Sequence, residues 1–200
     1  VYKRQTIDYG PCAFMDRYNE NTVFSSIDTF GRYSYKNQPL ICQWNLAQLA
    51  NCILPFLSDE KEKSIKIAQN EIDKYTKVYN NYFSIEIYKK LGFSCKIEND
   101  NKLKDELFDI MKRDELDFTI SFSNLYFELL NINNNLSEFT SKSRDFTKWI
   151  SKWKLRLKKE KKSVNQIAEN LKQSNPIIIP RNHLVEEAIK SALELSLIHI

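Results

Sequence analysis

The stretch "TIDYGPCAFMDRY", residues 6–18, holds the residue types best suited to chemistry. Asp8 precedes an aromatic and one of only three glycines in 200 residues, and Pro11 follows at once. An Asp-aromatic-Gly order on a turn is one that holds magnesium against nucleotide phosphates. Magnesium takes hard oxygen ligands, commonly one or two carboxylates beside phosphate oxygens. Asp8 would supply one carboxylate, Tyr9 an inward anchor, and Gly10 a backbone angle that other residues resist. The same triplet is also an ordinary turn, and one carboxylate does not make a transfer site. No G-x-G occurs anywhere, so a phosphate-cradling loop is absent from this sequence.

Other polar residues have plainer readings. Asp28 and Arg32 are expected to form an ion pair that pins a loop, and Asp16 and Arg17 have the same status. In Arg181-Asn182-His183, Asn182 is expected to cap a helix and Arg181 to bond nearby carbonyls. His183 has no companion Cys or His cluster, which argues against a metal role. The run Lys148, Lys152, Lys154, Arg156, Lys158, Lys159, Lys161 and Lys162 interleaves with Trp149 and Trp153. Nucleic-acid binding would use such lysines on phosphates and such rings for stacking. The tryptophans share an apolar face at i, i+4, so they read as core and the lysines as a solvated face. No nucleic-acid partner is expected.

The net charge of +4 alone implies neither nucleic acid nor membrane. No run of about 18 apolar residues occurs, so no membrane-spanning helix is expected. The four cysteines, Cys12, Cys42, Cys52 and Cys95, form no C-x-x-C, and with two histidines a zinc site is not expected. On one helix Cys42 and Cys52 would lie about 15 Å apart, too far to bridge. They read as reduced thiols of a cytoplasmic protein, or a mitochondrial one if the source is eukaryotic.

The elements that must position these residues are mostly helical, since glycine and proline are scarce and apolar spacing is three and four. Residues 6–37 are the exception and read as a long ordered loop. Its aromatics Phe14, Tyr18, Phe24, Phe30, Tyr33 and Tyr35 are expected to anchor it. Residues 39–57, apolar nearly all round behind Pro39, predict a buried central helix. Ile65, Ala68, Ile72, Tyr75, Tyr79 and Tyr82 predict a long amphipathic helix that stops at Gly92. Two more helices follow, the second from near Asp117, although "FTISF" alternates as a strand would. After the polar run "NINNNLSEFTSKS", Phe146, Trp149, Ile150, Trp153 and Leu157 mark a helix. Ser163 and Gln166 predict a capping box, "NPIIIP" an extended segment, and residues 181–195 a last helix. The chain reads as one partial domain over residues 1–200. "VYKRQ" and the tail "SLIHI" suit a complete domain poorly, so residues 1–5 and 196–200 read as candidates for non-native ends.

"DYGPCAFMDRY", "GRYSYKNQPLICQWNLAQLA", "DFTISFSNL" and "NPIIIPRNHLVEEAI" occur in this order. Together they resemble the C-terminal part of the selenoprotein O family (SelO, YdiU) of protein adenylyltransferases. The resemblance runs from about Thr6 to about Leu193. It implies a protein-kinase-like fold, of which this chain is the C-terminal lobe. ATP would lie flipped relative to kinases, so that AMP passes to Ser, Thr or Tyr hydroxyls of protein substrates. Asp8 matches the family's magnesium- and ATP-binding Asp, residues 11–37 take the place of an activation segment, and the helix from Pro39 that of a central helix. The family's phosphate-binding glycines, its ATP-binding Lys and Arg residues and its catalytic Asp-Asn pair precede the DYG motif. No catalytic residue is therefore assigned here, and this chain alone is expected to bind ATP negligibly. Three departures stand out: Ser123 and Asn124 replace an Arg pair, "SSIDTFGRY" replaces a His-bearing loop, and Val23 and Phe24 occupy the place of a redox cysteine. Kinase-type phosphorylation and a non-catalytic helical module are the alternatives.

Overall fold

A computed structural model describes residues 14–25, 27–132 and 143–194. The DYG motif, most of the polar run and both ends lie outside them. The described residues are mainly helical. The helices are α1 (Gln38–Ile53), α2 (Lys61–Lys90), α3 (Asp100–Arg113), α4 (Phe118–Leu130), α5 (Arg144–Leu157), α6 (Val164–Ser174) and α7 (Asn182–Glu194). No strand forms among these residues; one antiparallel bridge joins Arg17 to Asp117.

Local chemistry sets several boundaries where the spacing put them. Ser163 Oγ accepts the Gln166 N–H, and Gln166 Oε1 accepts the Ser163 N–H, closing the capping box of α6. Asp117 Oδ1 accepts the Ile120 N–H at 2.7 Å, so "FTISF" opens a helix despite its alternation. Gly92 ends the α2 region at φ +75°, a left-handed conformation that glycine adopts without a Cβ penalty. A Cβ there would also meet Ile167 at 3.0 Å and Leu171 at 3.2 Å.

The core lies between the C-terminal end of α2 and helices α3 to α6. Trp149 and Trp153 stack with centroids 6.2 Å apart and are fully buried, as the i, i+4 spacing predicts. Their indole N–H groups donate to the carbonyls of Leu103 (2.8 Å) and Leu91 (2.9 Å), so burial leaves neither donor unpaired. Arg156 differs from the basic-run reading. It falls on the buried stripe of α5, three residues after Trp153, and its guanidinium points inward. Nε and Nη2 donate to Asp100 at 2.6 and 3.0 Å, Nη1 donates to Glu160 at 2.7 Å, and Nη2 also donates to the Cys95 carbonyl. Phe93 lies against its face at 4.3 Å.

Among the described residues, helix α1 lacks the burial expected of a central helix. No residue of α1 is buried by the described residues, and Leu40 is 64% exposed. Among the described residues α1 packs chiefly on α2 and on the short 3-10 turns at its two ends, which leaves most of its circumference exposed. Its length is also shorter than expected. Pro55 lacks an N–H for the Asn51 carbonyl, so α1 stops at Ile53 and a 3-10 turn, Leu54–Phe56, follows. The loop aromatics divide as well. Tyr18 packs against Phe108 and Phe118, but Phe30 is 97% exposed.

This core makes three substitutions differ sharply in cost. Arg156→Ala strands the buried Asp100 carboxylate and should cost about 3–5 kcal/mol. Lys152→Ala, which loses only a half-exposed pair, should cost roughly 0–1 kcal/mol. Gly92→Ala combines the positive φ with the contacts to α6 and should cost about 1–3 kcal/mol. Urea unfolding of the three variants checks all three values.

Candidate functional site

Asp8, with Tyr9 and Gly10, lies outside the described residues. The description of the site therefore starts where the chain re-enters them. Residues 16–18 run antiparallel to the turn between α3 and α4. Phe118 N–H donates to the Asp16 carbonyl at 2.7 Å, and Tyr18 N–H donates to the Leu116 carbonyl at 2.9 Å. Burial pushes the Tyr18 phenol up to about 12, with smaller contributions from Tyr35, Glu20 and Asp109. The segment downstream of the DYG motif is thus stitched to the helical core by main-chain bonds and an aromatic anchor.

Beside this stitch is a charged cleft of about 770 Å³, whose lining includes Asp16, Arg17, Asp114, Asp117, Arg181 and His183. Arg181 does not bond carbonyls as expected. Its Nη1 donates to Asp117 Oδ2 at 2.7 Å and to Asp16 Oδ1. The Asp117 hydrogen bond leads the causes that raise the Arg181 pKa above its ordinary value, against a smaller opposing effect of burial. Asn182 is not the cap either: it is the first residue of α7, and the Arg181 carbonyl accepts the Val185 N–H. Arg17 pairs with Glu115 at 2.7 Å, and both are well exposed, so that pair contributes little. On the far wall Arg113 and the Ser143 hydroxyl both bond Asp114, and these bonds, Arg113 first, hold its carboxyl below the usual range.

The "GRYSYKNQP" motif serves the backbone. Asp28 does not pair with the Arg32 side chain; its carboxylate accepts the N–H groups of Arg32 and Tyr33, both at 2.8 Å. The Arg32 guanidinium instead lies over the Trp44 ring at 4.8 Å, joining the loop to α1. Asn37 Nδ2 donates to the Gly31 carbonyl at 2.9 Å, where φ is +63°. Ser123 and Asn124, the positions that depart from the family Arg pair, are buried in α4.

Among the described residues no cluster of three or more His, Cys, Asp or Glu side chains could hold a metal ion. Asp16 and Asp117 are near neighbours, but a guanidinium occupies the space between their carboxylates. Cys42, Cys52 and Cys95 are free thiols. No helix among these residues is long and apolar enough to cross a membrane.

Comparison with known proteins finds relatives named as protein nucleotidyltransferases. It is 45% identical over 189 residues to "Protein nucleotidyltransferase YdiU" of Bacillus thuringiensis subsp. konkukian (strain 97-27), covering 94% of this chain and 38% of that protein. The protein of the same name from Bacillus mycoides (strain KBAB4) is 45% identical over 190 residues, 95% of this chain and 38% of its own length. That of Bacillus cereus (strain G9842) is 44% identical over 189 residues, with 94% and 38% covered. The family model described as "Protein adenylyltransferase SelO" matches residues 3–197. The chain belongs to the SelO family of protein adenylyltransferases, and it spans 38% of the length of these relatives.

Proposed function

We propose that this chain forms part of the C-terminal lobe of a kinase-like protein adenylyltransferase. The observation that carries the reading is the family match over residues 3–197, within which the DYG motif falls. The whole enzyme transfers AMP from ATP to a Ser, Thr or Tyr hydroxyl of a protein substrate. The hydroxyl gives up its proton to a base outside the described residues, its oxygen forms a bond to the α-phosphorus, the bond from that phosphorus to the α–β bridging oxygen breaks, and pyrophosphate leaves. Magnesium, when bound, neutralises phosphate charge. Asp8 supplies a carboxylate for that ion and thereby orients the nucleotide. Residues 11–37 take the place of an activation segment, and the laced segment 16–18 supports this by giving the region downstream of Asp8 a fixed footing. The chain alone is inactive, since one carboxylate cannot position a triphosphate.

A second part of the proposal concerns α1. The rest of the family polypeptide covers its exposed apolar faces, making it the interior helix that its composition fits. Leu40, Leu49 and Ile53 support this: they stand 64, 57 and 41% exposed among the described residues, where an apolar helix face would ordinarily be covered.

Three measurements on the full-length protein test these readings. With ATP labelled at the α- or γ-phosphate, the α label should enter protein, and Asp8→Ala should lower transfer by roughly a hundredfold or more. Transfer of the γ label would instead mean kinase chemistry, and magnesium-dependent ATP binding unchanged in Asp8→Ala would favour a non-catalytic helical module. Cys42 and Cys52 on α1 should react with a maleimide at least about tenfold more slowly than the exposed Cys95. Equal rates at the three thiols would show α1 uncovered.

A further inference from the structure

The Arg181 guanidinium joins parts of the chain that are far apart in sequence. Asp16 is 165 residues away and Asp117 is 64 away, yet one nitrogen donates to both carboxylates. The arrangement is not a loose surface pair. The Arg181 side chain is only 20% exposed and that of Asp117 15%, while Asp16 is at 48%. The Asp117 carboxylate and the Asp16 main chain are also tied down independently. Asp117 caps α4 through its other oxygen. The Asp16 carbonyl accepts the Phe118 N–H, so its backbone cannot swing away from the α3–α4 turn without breaking that bond. The two carboxylates are thereby held close together, where like charges repel. The guanidinium between them is the counter-charge that makes the closeness favourable. Without it, the repulsion would act along the line that opens residues 16–18 from residues 116–118.

Asp16 stands eight residues after Asp8. We propose that Arg181 is a positioning residue: by neutralising Asp16 against Asp117, it holds residues 16–18, downstream of Asp8 in sequence, on the helical core. The inference rests on the reading of Asp8 given above. Arg181 touches no nucleotide in this account. It acts through Asp16, and it makes the start of α7 part of the support for the site.

The test measures the magnesium concentration that gives half-maximal ATP binding in the full-length protein, with a thermal melt to check folding. Arg181→Gln, which leaves the Asp16 and Asp117 carboxylates facing each other uncompensated, should raise that concentration about tenfold, the scale of one charge-assisted hydrogen bond. Asp16→Asn removes the repulsion together with the pair, so adding it to Arg181→Gln should recover most of the loss. Arg181→Lys, which keeps the charge, should recover part of it. Lys152→Gln, which breaks only the half-exposed pair to Glu106, should leave the value unchanged. If Arg181→Gln folds poorly, the double variant decides the matter: it should fold and show a magnesium dependence close to wild type. Unchanged magnesium dependence in Arg181→Gln, or no recovery in the double variant, would overturn the proposal. Asp8→Ala separates the two ideas. If it abolishes magnesium-dependent binding while Arg181→Gln does not shift it, only the role of Arg181 is lost. If Asp8→Ala binds as wild type, the reading of Asp8 fails and this inference falls with it.

Discussion

One buried guanidinium organises the helical core. Arg156 on α5 reaches Asp100 at the start of α3, Glu160 beyond the end of α5, and the Cys95 carbonyl in the connection that follows α2. Taking this charge out of water is costly, and burial by itself would lower the Arg156 pKa. The hydrogen bonds and charges of Asp100 and Glu160 outweigh that effect and keep the pKa above its ordinary value. The carboxylates are satisfied in turn, Asp100 by the Ile97 N–H and Glu160 by the Ser94 N–H. A network with each member paired selects one arrangement of α3 and α5, because any slip along either helix strands a charge. Apolar stacking of Trp149 and Trp153 favours the same packing but would tolerate small shifts.

Helix α2 carries that order outward. Its 30 residues span about 45 Å at the usual rise. Its C-terminal end lies in the core through Ile87 and Tyr88, while its earlier turns carry α1. Tyr75, Tyr79 and Phe83 stack in sequence along it at about 6 Å, and Gln43 reaches across from α1 to the Ile72 carbonyl. Burial is the first cause that pushes the Tyr75 phenol up to about 12, followed by a hydrogen bond with Cys42. The pair α1–α2 is thus joined by a few polar contacts and has a broad apolar surface left over. Such a surface fits a family whose polypeptides are much longer than this chain.

The charged cleft brings together residues 16–18, Arg181 and the α3–α4 turn, which are far apart in sequence. Main-chain bonds supply the register, and the ion pairs select the side-chain geometry. Arg32 and Trp44 do comparable work at the next bend, where a cation over a ring fastens the loop to α1. Both fastenings use arginine, whose planar head suits two partners or an aromatic face better than lysine does.

Residue order by itself determined what depends on neighbours within a few positions. The capping box at Ser163, the stop at Gly92 and the buried stripe of α5 were legible because three- and four-residue spacing and cap chemistry act locally. The same spacing contained a signal for Arg156 on the buried stripe, hidden by the lysines around it. Pro55 likewise marked the end of α1 in plain view. The resemblance that led to the family rested on ordered motifs and needed no coordinates. Tertiary structure alone decided who pairs with whom. Arg181 selects Asp16 and Asp117 over nearby carbonyls, Asp28 bonds backbone rather than Arg32, and α1 remains exposed among the described residues. Those outcomes depend on groups brought together from distant positions, and a guanidinium or an apolar face has no preferred partner until the fold supplies one.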